Sequence, residues 1–468
     1  MGPPAADPAT ILLLTATGAT MTEHESNPLV ARNDLEAIVE LALEEARRGG
    51  ATQAEAGVST DVGLSVTVRL GEVESLEYQR DRGMGVTVYV DGRKGSASTA
   101  DLSWQAVAET VRKALSIARF TAEDEFAGLA DAALMARDVP DLELCHPWAI
   151  DAESAIEIAR RIEAQALAAD PRIRNSEGGS VSSHSGLRVY GNTHGFMGGY
   201  PSTVHSLSCA VMSQDGDDMQ RDYWYSTARD ATALEPAEDV GRRAASRAVA
   251  RLGARKLSTR RAPVLFVAEQ ARGLVGHFVA AVRGGSQYRK SSFLHGASGQ
   301  QVFPSWLSMR ERPHLKRELG SAPFDSEGVA TRDRDLVHEG VLTGYVLDSY
   351  SARKLGLQTT GNAGGVHNLE VAGGSEGFEA LLARLGTGLL VTELMGQGVN
   401  IVTGDYSRGA TGFWVEGGAI SHPVHEVTVA GNLRDMFRKL VAVGTDVDRR
   451  GGIRSGSILV EEMTIAGD

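Results

Sequence analysis

The sequence has few cysteines and no hydrophobic run long enough to cross a membrane. Its 468 residues include only two cysteines, Cys145 and Cys209, which lie far apart and in no spacing typical of a metal site. This scarcity argues against a disulfide framework and indicates a reducing compartment. The one short apolar run near the N-terminus, residues 11–14, has no Lys or Arg before it, so it predicts neither a signal peptide nor a membrane span. We therefore expect a cytoplasmic protein without membrane contact.

Positive charge is also scarce. The 47 Lys and Arg residues are outnumbered by 60 Asp and Glu, which gives a net charge of −13 at pH 7. Such a surface repels phosphate backbones, so direct nucleic-acid binding is not expected. The most basic cluster, residues 242–256, interleaves Arg and Lys with Ala, which is more typical of a solvated helix face than of a nucleic-acid patch.

The common catalytic motifs are missing as well. The chain contains no H-E-x-x-H zinc motif, no G-x-S-x-G nucleophile elbow, and neither of the glycine-rich motifs that bind nucleotide phosphates. His338 and Glu339 resemble the start of a zinc motif, but a strand-like segment follows without a second histidine. His422 and His425 are separated by a proline and a valine, so their rings share one side of a strand poorly. The sequence alone predicts no self-contained catalytic constellation.

An N-terminal α+β domain is predicted over residues 29–257, after an extension over residues 1–28 that we expect to be disordered. Asn33 is the expected cap of the first helix, Asp101 of the second and Asp151 of the third. The order of these elements predicts a duplicated α-β-β-β-α unit. The first copy has helices at 34–48 and 102–120 around strands at 64–70, 73–79 and 85–90, with an Asp91-Gly92 turn; the second has helices at 151–169 and 236–252 around strands within 172–227.

A C-terminal β-rich domain is predicted over residues 258–468. Short glycine-punctuated segments spaced by turns are typical of a barrel-like or sandwich-like architecture with a few helices. The predicted strands cover residues 340–347, 398–403, 412–416, 426–430 and 457–466, and the predicted helices cover 377–385 and 432–441.

A predicted helix over residues 268–283 has a single polar ring on an otherwise apolar face. The strand-like residues 263–268 precede this helix, and Gly284-Gly285 is expected to end it in a left-handed turn. His277 lies on the apolar stripe, and no second histidine is on the helix. Because a catalytic zinc needs three protein ligands, a core histidine is the better interpretation of His277 than a metal ligand.

Two stretches, residues 351–365 and 396–410, contain more glycine than packing alone requires. Glycine permits the close backbone approach that a strand-adding peptide requires. Asp405, Tyr406 and Arg408 are expected to be exposed on a turn in the second stretch. On composition alone, tight turns within a β domain remain the favoured alternative.

From about Asn33 to the C-terminus, the sequence resembles the TldD/PmbA family, and specifically its PmbA (TldE) branch. Several long blocks in the same order carry the resemblance. They are GHFVAAVRGGSQYRKSSFL (276–294), FPSWL (303–307), PFDSEG (323–328), SYSARKLGLQTTGNAGGVHN (349–368), VTELMGQGVN (391–400), TGDYSRGATGFWVEGG (403–418) and VTVAGNLRDMF (427–437).

The resemblance also implies which residues replace the family's zinc site. The TldD branch carries H-E-x-x-x-H on the helix that matches residues 268–283, together with a cysteine near its C-terminus. Arg272 stands at the first histidine, Gly273 at the glutamate, and His277 at the second histidine. Around Arg454-Ser455-Gly456 there is no cysteine. We therefore expect that this chain has no catalytic residue and binds no metal.

The resemblance further implies a non-catalytic subunit of a cytoplasmic metalloprotease that processes or degrades small unstructured peptides. A TldD-like partner would supply the zinc, and the isolated chain could form a homodimer. The candidate substrate or partner contacts are Thr403, Gly404, Asp405, Tyr406, Ser407 and Arg408. One alternative is a regulatory binding protein of the DNA gyrase modulator type. Another is an independent hydrolase that uses His277 with distant His or Asp residues.

Overall fold

One antiparallel sheet of six strands, in the order β3-β2-β1-β4-β5-β6, unites the two predicted repeats. The computed structural model describes residues 32–467, so the predicted disordered extension over residues 1–28 lies outside the described residues. The first repeat consists of α1 (Arg32–Arg48), β1 (Gln53–Arg69), β2 (Glu72–Val90), β3 (Arg93–Thr99) and α2 (Trp104–Phe120). The second consists of α3 (Ala152–Ala169), β4 (Ile173–Asn192), β5 (Met197–Asp215), β6 (Asp218–Ala228) and α4 (Ala237–Ala250).

The duplication is confirmed by the sheet. Strands β1 and β4, the first strand of each repeat, pair antiparallel along the centre, from Glu55 opposite Asn192 to Val68 opposite Gly179. In each repeat the helix pair covers the sheet with its own hydrophobic cluster, one around Val39 and Val111 and the other around Ile162 and Val240. Each helix pair buries its apolar stripes against its own repeat and also against the first strand of the other, since the first cluster includes Leu187 and Val189 of β4 and the second includes Leu64 and Val66 of β1.

Several predicted boundaries in the first repeat are wrong. The predicted strands 73–79 and 85–90 form one strand, because β2 stays paired with β1 through Gly83 and Gly85. The helix caps also differ from the predicted ones. Helix α1 begins before Asn33, and the cap of α2 is Ser103, whose hydroxyl accepts from the Ala106 N–H. The Asp91-Gly92 turn is confirmed, with φ values of 49° and 76° that suit a two-residue hairpin.

The second repeat agrees more closely with its prediction. The carboxylate of Asp151 accepts from the Ser154 N–H at 2.8 Å, so it caps α3 as expected. The loop between the repeats contains a short 3₁₀ turn at Ala132–Leu134. The expected domain boundary at 257 and 258 falls between α4 and the first strand of the C-terminal region.

The C-terminal region contains a closed barrel, which confirms the barrel alternative. Five strands follow in the order β14-β13-β12-β7-β17, and pairing between β17 and β14 closes the ring, with β15 attached to β17. A second sheet has the order β10-β9-β8-β11-β16. The strands are β7 (Arg260–Phe266), β8 (Ser308–Glu311), β9 (Arg334–His338), β10 (Val341–Leu342), β11 (Leu369–Ala372), β12 (Gly388–Met395), β13 (Asp405–Glu416), β14 (Ala419–Asn432), β15 (Leu440–Val443), β16 (Ile453–Arg454) and β17 (Ile458–Ala466).

Five helices accompany these strands. They are α5 (Ala268–Val282), α6 (Gly284–Tyr288), α7 (Ser349–Lys354), α8 (Phe378–Leu385) and α9 (Leu433–Arg438). Helix α5 contributes Leu274, Phe278 and Val282 to the largest hydrophobic cluster, which also contains residues of the barrel and of the second sheet. This helix is therefore the central packing element of the C-terminal region.

Four predictions for this region are wrong. Residues 398–403 form a turn rather than a strand, and of residues 340–347 only Val341–Leu342 is a strand. The predicted helix 432–441 ends at Arg438, since β15 begins at Leu440. Gly284 and Gly285 begin α6 rather than ending α5 in a left-handed turn. Glycine is needed at 284 for space, because a Cβ there would lie 2.1 Å from the Ser351 hydroxyl.

Candidate functional site

The start of α5 carries Arg272 at the position that the resemblance equates with a zinc-binding histidine. Its Nε lies 3.2 Å from a carboxylate oxygen of Asp448, its Nη1 donates to the carbonyl of Arg450 at 2.6 Å, and its Nη2 donates to the Tyr225 hydroxyl at 3.3 Å. The guanidinium thus joins α5 both to the loop before β16 and to β6 of the second repeat. A fixed positive charge held in this position opposes binding of a divalent cation.

A second guanidinium, that of Arg450, reinforces this contact. It donates two hydrogen bonds to Asp448, at 3.0 and 3.1 Å, and its centre lies 4.3 Å from the ring of Trp224 and 4.4 Å from that of Tyr225. Although burial opposes the charged form, the hydrogen bonds from Arg450 lower the pKa of Asp448. The negative charge nearest Arg272 is therefore already neutralised by two arginines.

Gly273 and His277 complete the altered motif. Gly273 is exposed, and the space where its side chain would project is open, so no carboxylate stands where the family's general base is expected. The ring of His277 packs edge-on against Tyr406 at 5.9 Å between centroids. Burial, with a contribution from the charge of Arg408, lowers the pKa of His277, which keeps the imidazole neutral at neutral pH.

The C-terminal region that would supply the third ligand is occupied by another ion cluster. Arg454 is almost fully buried and lies 3.0 Å from carboxylate oxygens of both Glu318 and Glu370. Ser455 is buried, and its hydroxyl donates to the carbonyl of Gly456. Across residues 32–467, no group of three or more His, Cys, Asp or Glu side chains is placed to hold a metal ion.

The predicted contact residues 403–408 lie where a turn leads into β13. Thr403, Asp405 and Ser407 are exposed, whereas Gly404 and Tyr406 are buried and Arg408 is partly covered. The expectation that Tyr406 is exposed is therefore wrong, since its ring packs against His277 in the main core. The Arg408 guanidinium donates to the carbonyls of Leu394 and Met395.

Residues 405–408 have no free backbone edge for a strand-adding peptide, which supports the tight-turn alternative for the stretch 396–410. One edge of this segment pairs with β14, from Asp405 opposite Asn432. On the other edge, Ser407 N–H donates to the Gly398 carbonyl at 2.7 Å. Because both backbone edges are used within the chain, a further strand cannot pair there.

The other glycine-rich stretch, residues 351–365, makes contacts with the N-terminal half of the chain and within the C-terminal region. The Arg353 guanidinium donates to the carbonyls of Phe126, Gly128 and Leu129 at 2.7 to 2.9 Å. Asn362 donates to the buried carboxylate of Glu311, which also lies 2.9 Å from Arg334. These anchors were missed because single polar residues with distant partners leave no local sequence pattern.

A cavity of about 330 Å³ between the second repeat and the C-terminal region also has no sequence signal. Its lining includes Arg188, Arg229 and the buried carboxyl of Asp325. Burial raises the pKa of Asp325 to about 6, despite backbone hydrogen bonds that lower it. Nearby, burial raises the pKa of Glu327 to about 7, although hydrogen bonds from Ser349 oppose the shift.

No helix within residues 32–467 combines the length and the apolar character that a membrane crossing requires.

Comparison with known protein families gives matches along most of the chain. Residues 54–118 match domain 1 of the PmbA/TldA metallopeptidases, residues 145–252 match the central domain, and residues 259–467 match the C-terminal domain. The metalloprotease PmbA of Escherichia coli O157:H7 is 54% identical over 436 residues, which cover 93% of this chain and 97% of that protein. A metalloprotease TldD homologue of Haemophilus influenzae is 25% identical over 218 residues, covering 41% of this chain and 45% of that protein.

Solved structures share the fold. A Bacteroides thetaiotaomicron protein described as a candidate modulator of DNA gyrase is 28% identical, with a TM-score of 0.89 over 94% of this chain and all of that one. TldE from Thermococcus kodakarensis is 20% identical and superposes with a TM-score of 0.79 over 92% of this chain and all of that one. With three domain matches and a relative 54% identical along nearly its whole length, the chain belongs to the PmbA/TldD metallopeptidase family, in its PmbA (TldE) branch.

Proposed function

We propose that this chain is the non-catalytic subunit of a two-chain zinc metalloprotease that acts on small unstructured peptides in the cytoplasm. A TldD-type partner supplies the zinc, the water that the zinc activates and the glutamate base. The observation that carries the proposal is the pair of residues that stand at the motif positions near the start of α5. Arg272 is held by Asp448 and the Arg450 carbonyl where the family motif has a histidine, and Gly273 provides no carboxylate.

The electrostatics of this region support the same assignment. A zinc site needs neutral imidazoles and a carboxylate or thiolate that together offset a charge of +2. Here His277 is neutral and packs against Tyr406, whereas Arg272, five residues earlier on α5, is paired with Asp448, which Arg450 also neutralises. Turning this cluster into a metal site requires more than one substitution, because the arginines also tie α5 to the second repeat.

The direct test measures zinc content and peptide cleavage for the chain alone, for a TldD-type partner alone, and for the two together. We expect zinc in the partner, none above background in this chain, and cleavage of unstructured peptides only in samples that contain the partner. A partner whose motif glutamate is replaced by glutamine is the control, and its mixture with this chain should be inactive. Peptide hydrolysis by the isolated, zinc-loaded chain would contradict the proposal.

A restored motif tests the same idea within this chain. The double variant Arg272→His and Gly273→Glu recreates the H-E-x-x-x-H pattern with His277. We expect it to remain inactive, because a third ligand is missing and Arg450 stays nearby. The variant Gly273→Ala, which adds only a methyl group in open space, is the matched control for folding.

We also propose that the exposed side chains of Thr403, Asp405 and Ser407 contact the partner or the peptide. Two observations support this proposal. The three side chains are exposed, and their segment lies beside α5, because its Tyr406 packs against His277 of that helix. The variant Asp405→Lys should weaken binding to the TldD-type partner, measured by titration calorimetry. Unchanged affinity would remove this segment from the proposal.

The gyrase-modulator description of the Bacteroides thetaiotaomicron structure favours one rival function, a regulatory binding protein. Affinity capture with this chain, in cells that lack the TldD-type partner, separates the two. Recovery of a topoisomerase, with no peptide cleavage in the mixture above, would favour the rival.

A further inference from the structure

The cavity of about 330 Å³ lies on the face of the N-terminal sheet opposite the four helices. Leu187 and Val189 of β4 pack in the cluster beneath α1 and α2, so Arg188, between them, projects to the other face. Tyr200 of β5 stands opposite Arg188 in the register and projects to the same side. Both residues line the cavity, and loops of the C-terminal region form its other side.

The second arginine of the cavity, Arg229, is held in place by neutral acceptors alone. It follows β6, and its Nη1 and Nη2 donate to the carbonyls of Thr203 and Leu319 at 3.1 and 2.9 Å. Its Nε is buried and has no hydrogen-bond acceptor within residues 32–467. Burial lowers the pKa of Arg229, so nothing in the chain fully offsets the desolvation of its charge. A guanidinium fixed in this way without a counter-ion is costly to bury.

Arg188 also lacks a counter-ion. Its guanidinium makes no ion pair and no hydrogen bond with any other described residue of the chain. Because Arg188 is exposed, the cavity opens to solvent beside it. Burial raises the pKa of the Tyr200 hydroxyl, and the charges of Arg188 and Arg229 both oppose this shift. The two guanidiniums therefore lie near the same hydroxyl group in the cavity.

Besides tyrosines, two other ionisable groups line the cavity, and they set the charge of a suitable ligand. Burial lowers the pKa of His367, so its ring is neutral at neutral pH. Asp325, whose pKa burial raises to about 6, is mostly ionised there. Its carboxylate accepts from the N–H groups of Glu327, Val329 and Ala363, so the backbone holds it rather than an arginine. Two arginines and one carboxylate leave a single positive charge, which favours a monoanion over a doubly charged phosphate.

An aromatic wall beside the arginines can cover an apolar group. The rings of Tyr200 and Phe324, 5.4 Å apart, both line the cavity. Gly364 lines it too, with a φ of 103°, and a Cβ there would lie 2.8 Å from the Ser326 hydroxyl. Glycine at this position therefore preserves the width of the cavity. The volume is near the lower end of the range for ligand pockets, so it suits a group of about one or two amino-acid residues.

We propose that this cavity binds a single carboxylate with an apolar side chain beside it, as the C-terminal residue of a short peptide or a small free acid provides. The carboxylate lies against the guanidiniums of Arg188 and Arg229 and accepts from the Tyr200 hydroxyl. The apolar group packs against the ring of Phe324. The proposal is independent of the proteolytic role, because it uses no residue of the altered zinc motif.

Titration calorimetry of the full-length chain tests the charge requirement. The probes are N-acetyl-leucine and the tripeptide alanyl-alanyl-leucine, each compared with its C-terminal amide, and inorganic phosphate. We expect both carboxylates to bind and each amide to bind about tenfold more weakly or worse, because the amide cannot form charge-assisted hydrogen bonds with the arginines. Tighter binding of the tripeptide supports the proposal with a peptide C-terminus as the ligand. Tighter binding of N-acetyl-leucine supports it with a small acid as the ligand.

Variants assign the binding to the cavity. Arg188→Gln should weaken binding of N-acetyl-leucine by about tenfold or more and leave folding intact, since this side chain has no hydrogen bond to lose. Arg229→Gln should weaken binding as well, but it also removes the bonds to Thr203 and Leu319, so its unfolding free energy is measured alongside. The matched control is Arg174→Gln, which removes the same charge from an exposed position on β4 outside the cavity and should bind as the wild type does.

Four results would overturn the proposal. They are equal binding of an acid and its amide, tighter binding of phosphate than of either carboxylate, no binding of either carboxylate at millimolar concentration, and unchanged binding by Arg188→Gln.

Discussion

The two repeats of the N-terminal sheet share one topology but differ in what covers the first half of their middle strands. In the second repeat, residues 197–204 of β5 lie beneath other parts of the chain. The Thr203 N–H donates to the Leu144 carbonyl at 2.9 Å, and the Tyr200 ring lies 5.4 Å from that of Phe324. In the first repeat, residues 72–83 of β2 have no comparable cover within residues 32–467. One topology thus creates two equivalent edges, and only one is covered within the chain.

The side chains explain the difference. Residues 197–204 read Met-Gly-Gly-Tyr-Pro-Ser-Thr-Val and contain no charge, so burial leaves no ion to desolvate. Residues 72–83 carry six charged side chains, which resist burial unless each meets an opposite charge. The first edge therefore suits packing by its own chain, whereas the second keeps its charged side chains in solvent.

The largest expected effect is at the covered edge. Phe324 is buried against Phe196 and Tyr200, at ring distances of 5.2 and 5.4 Å. Phe324→Ala should lower the free energy of unfolding by about 3–5 kcal/mol, through lost burial and the cavity left behind. Denaturant unfolding measures the change. Phe120→Ala, at an aromatic residue that is 91% exposed, is the control and should change stability by less than about 1 kcal/mol.

The contact between α5 and the second repeat should show a smaller loss. Arg272→Ala removes the partner of the buried Asp448 carboxylate, while Arg450 remains. We expect a loss of about 1–3 kcal/mol, from the hydrogen bonds and packing that the guanidinium provides. The control Arg221→Ala removes an exposed pair with Glu177 and should cost less than about 1 kcal/mol. Equal losses would mean that the buried cluster does not hold the two halves together.

The pH dependence of stability distinguishes the covered region from the open edge. Burial raises the pKa of Glu327 in the folded chain to about 7, from an ordinary value of 4.5. The folded state therefore holds this proton more tightly, so its contribution to stability is full below about pH 4.5 and is lost as the pH rises through about 7. Glu327→Gln should reduce the fall in stability between pH 5 and pH 8 by about 2–3 kcal/mol.

The measurement is urea unfolding of wild type and variant across this pH range. Glu72→Gln, on the exposed edge, is the control and should leave the slope unchanged. An unaltered slope in Glu327→Gln would show that this carboxyl does not titrate as a buried group.

The smallest effect is expected at the open edge itself. Leu76→Ala should change the unfolding free energy of the monomer by less than about 0.5 kcal/mol, because the side chain is 44% exposed. Denaturant unfolding measures the change. A large loss of monomer stability would mean that Leu76 is already packed within one chain.

The sequence predicted elements wherever local signals agreed. The duplicated repeat, the Asp151 cap, the Asp91-Gly92 turn and the core helix α5 all follow from periodicity and turn chemistry, and all are confirmed. The failures lie where distant pairing overrides local preference. Strand β2 runs through two glycines because β1 supports it, and residue 284 at the start of α6 must be glycine because Ser351 approaches it closely.

For the candidate site too, the sequence identifies some residues but not their distant partners. Identifying Arg272, Gly273 and His277 as the altered motif required only the sequence and its resemblance to the family. The partners of Arg272 could not be predicted, since Asp448 and Tyr225 lie far away along the chain. The surrounding glycines predict an exposed turn at Tyr406, yet contact with His277 and the core buries its ring.

The sequence by itself determined the family, the duplicated α+β organisation and the absence of the zinc motif, because these depend on residue identity and on short-range pattern. Only the tertiary structure decided how the barrel closes, which arginines fill the space beside α5, and which sheet edge remains open. Those outcomes depend on contacts between residues distant in sequence. Their energies come from burial and charge pairing that exist only once the chain has folded.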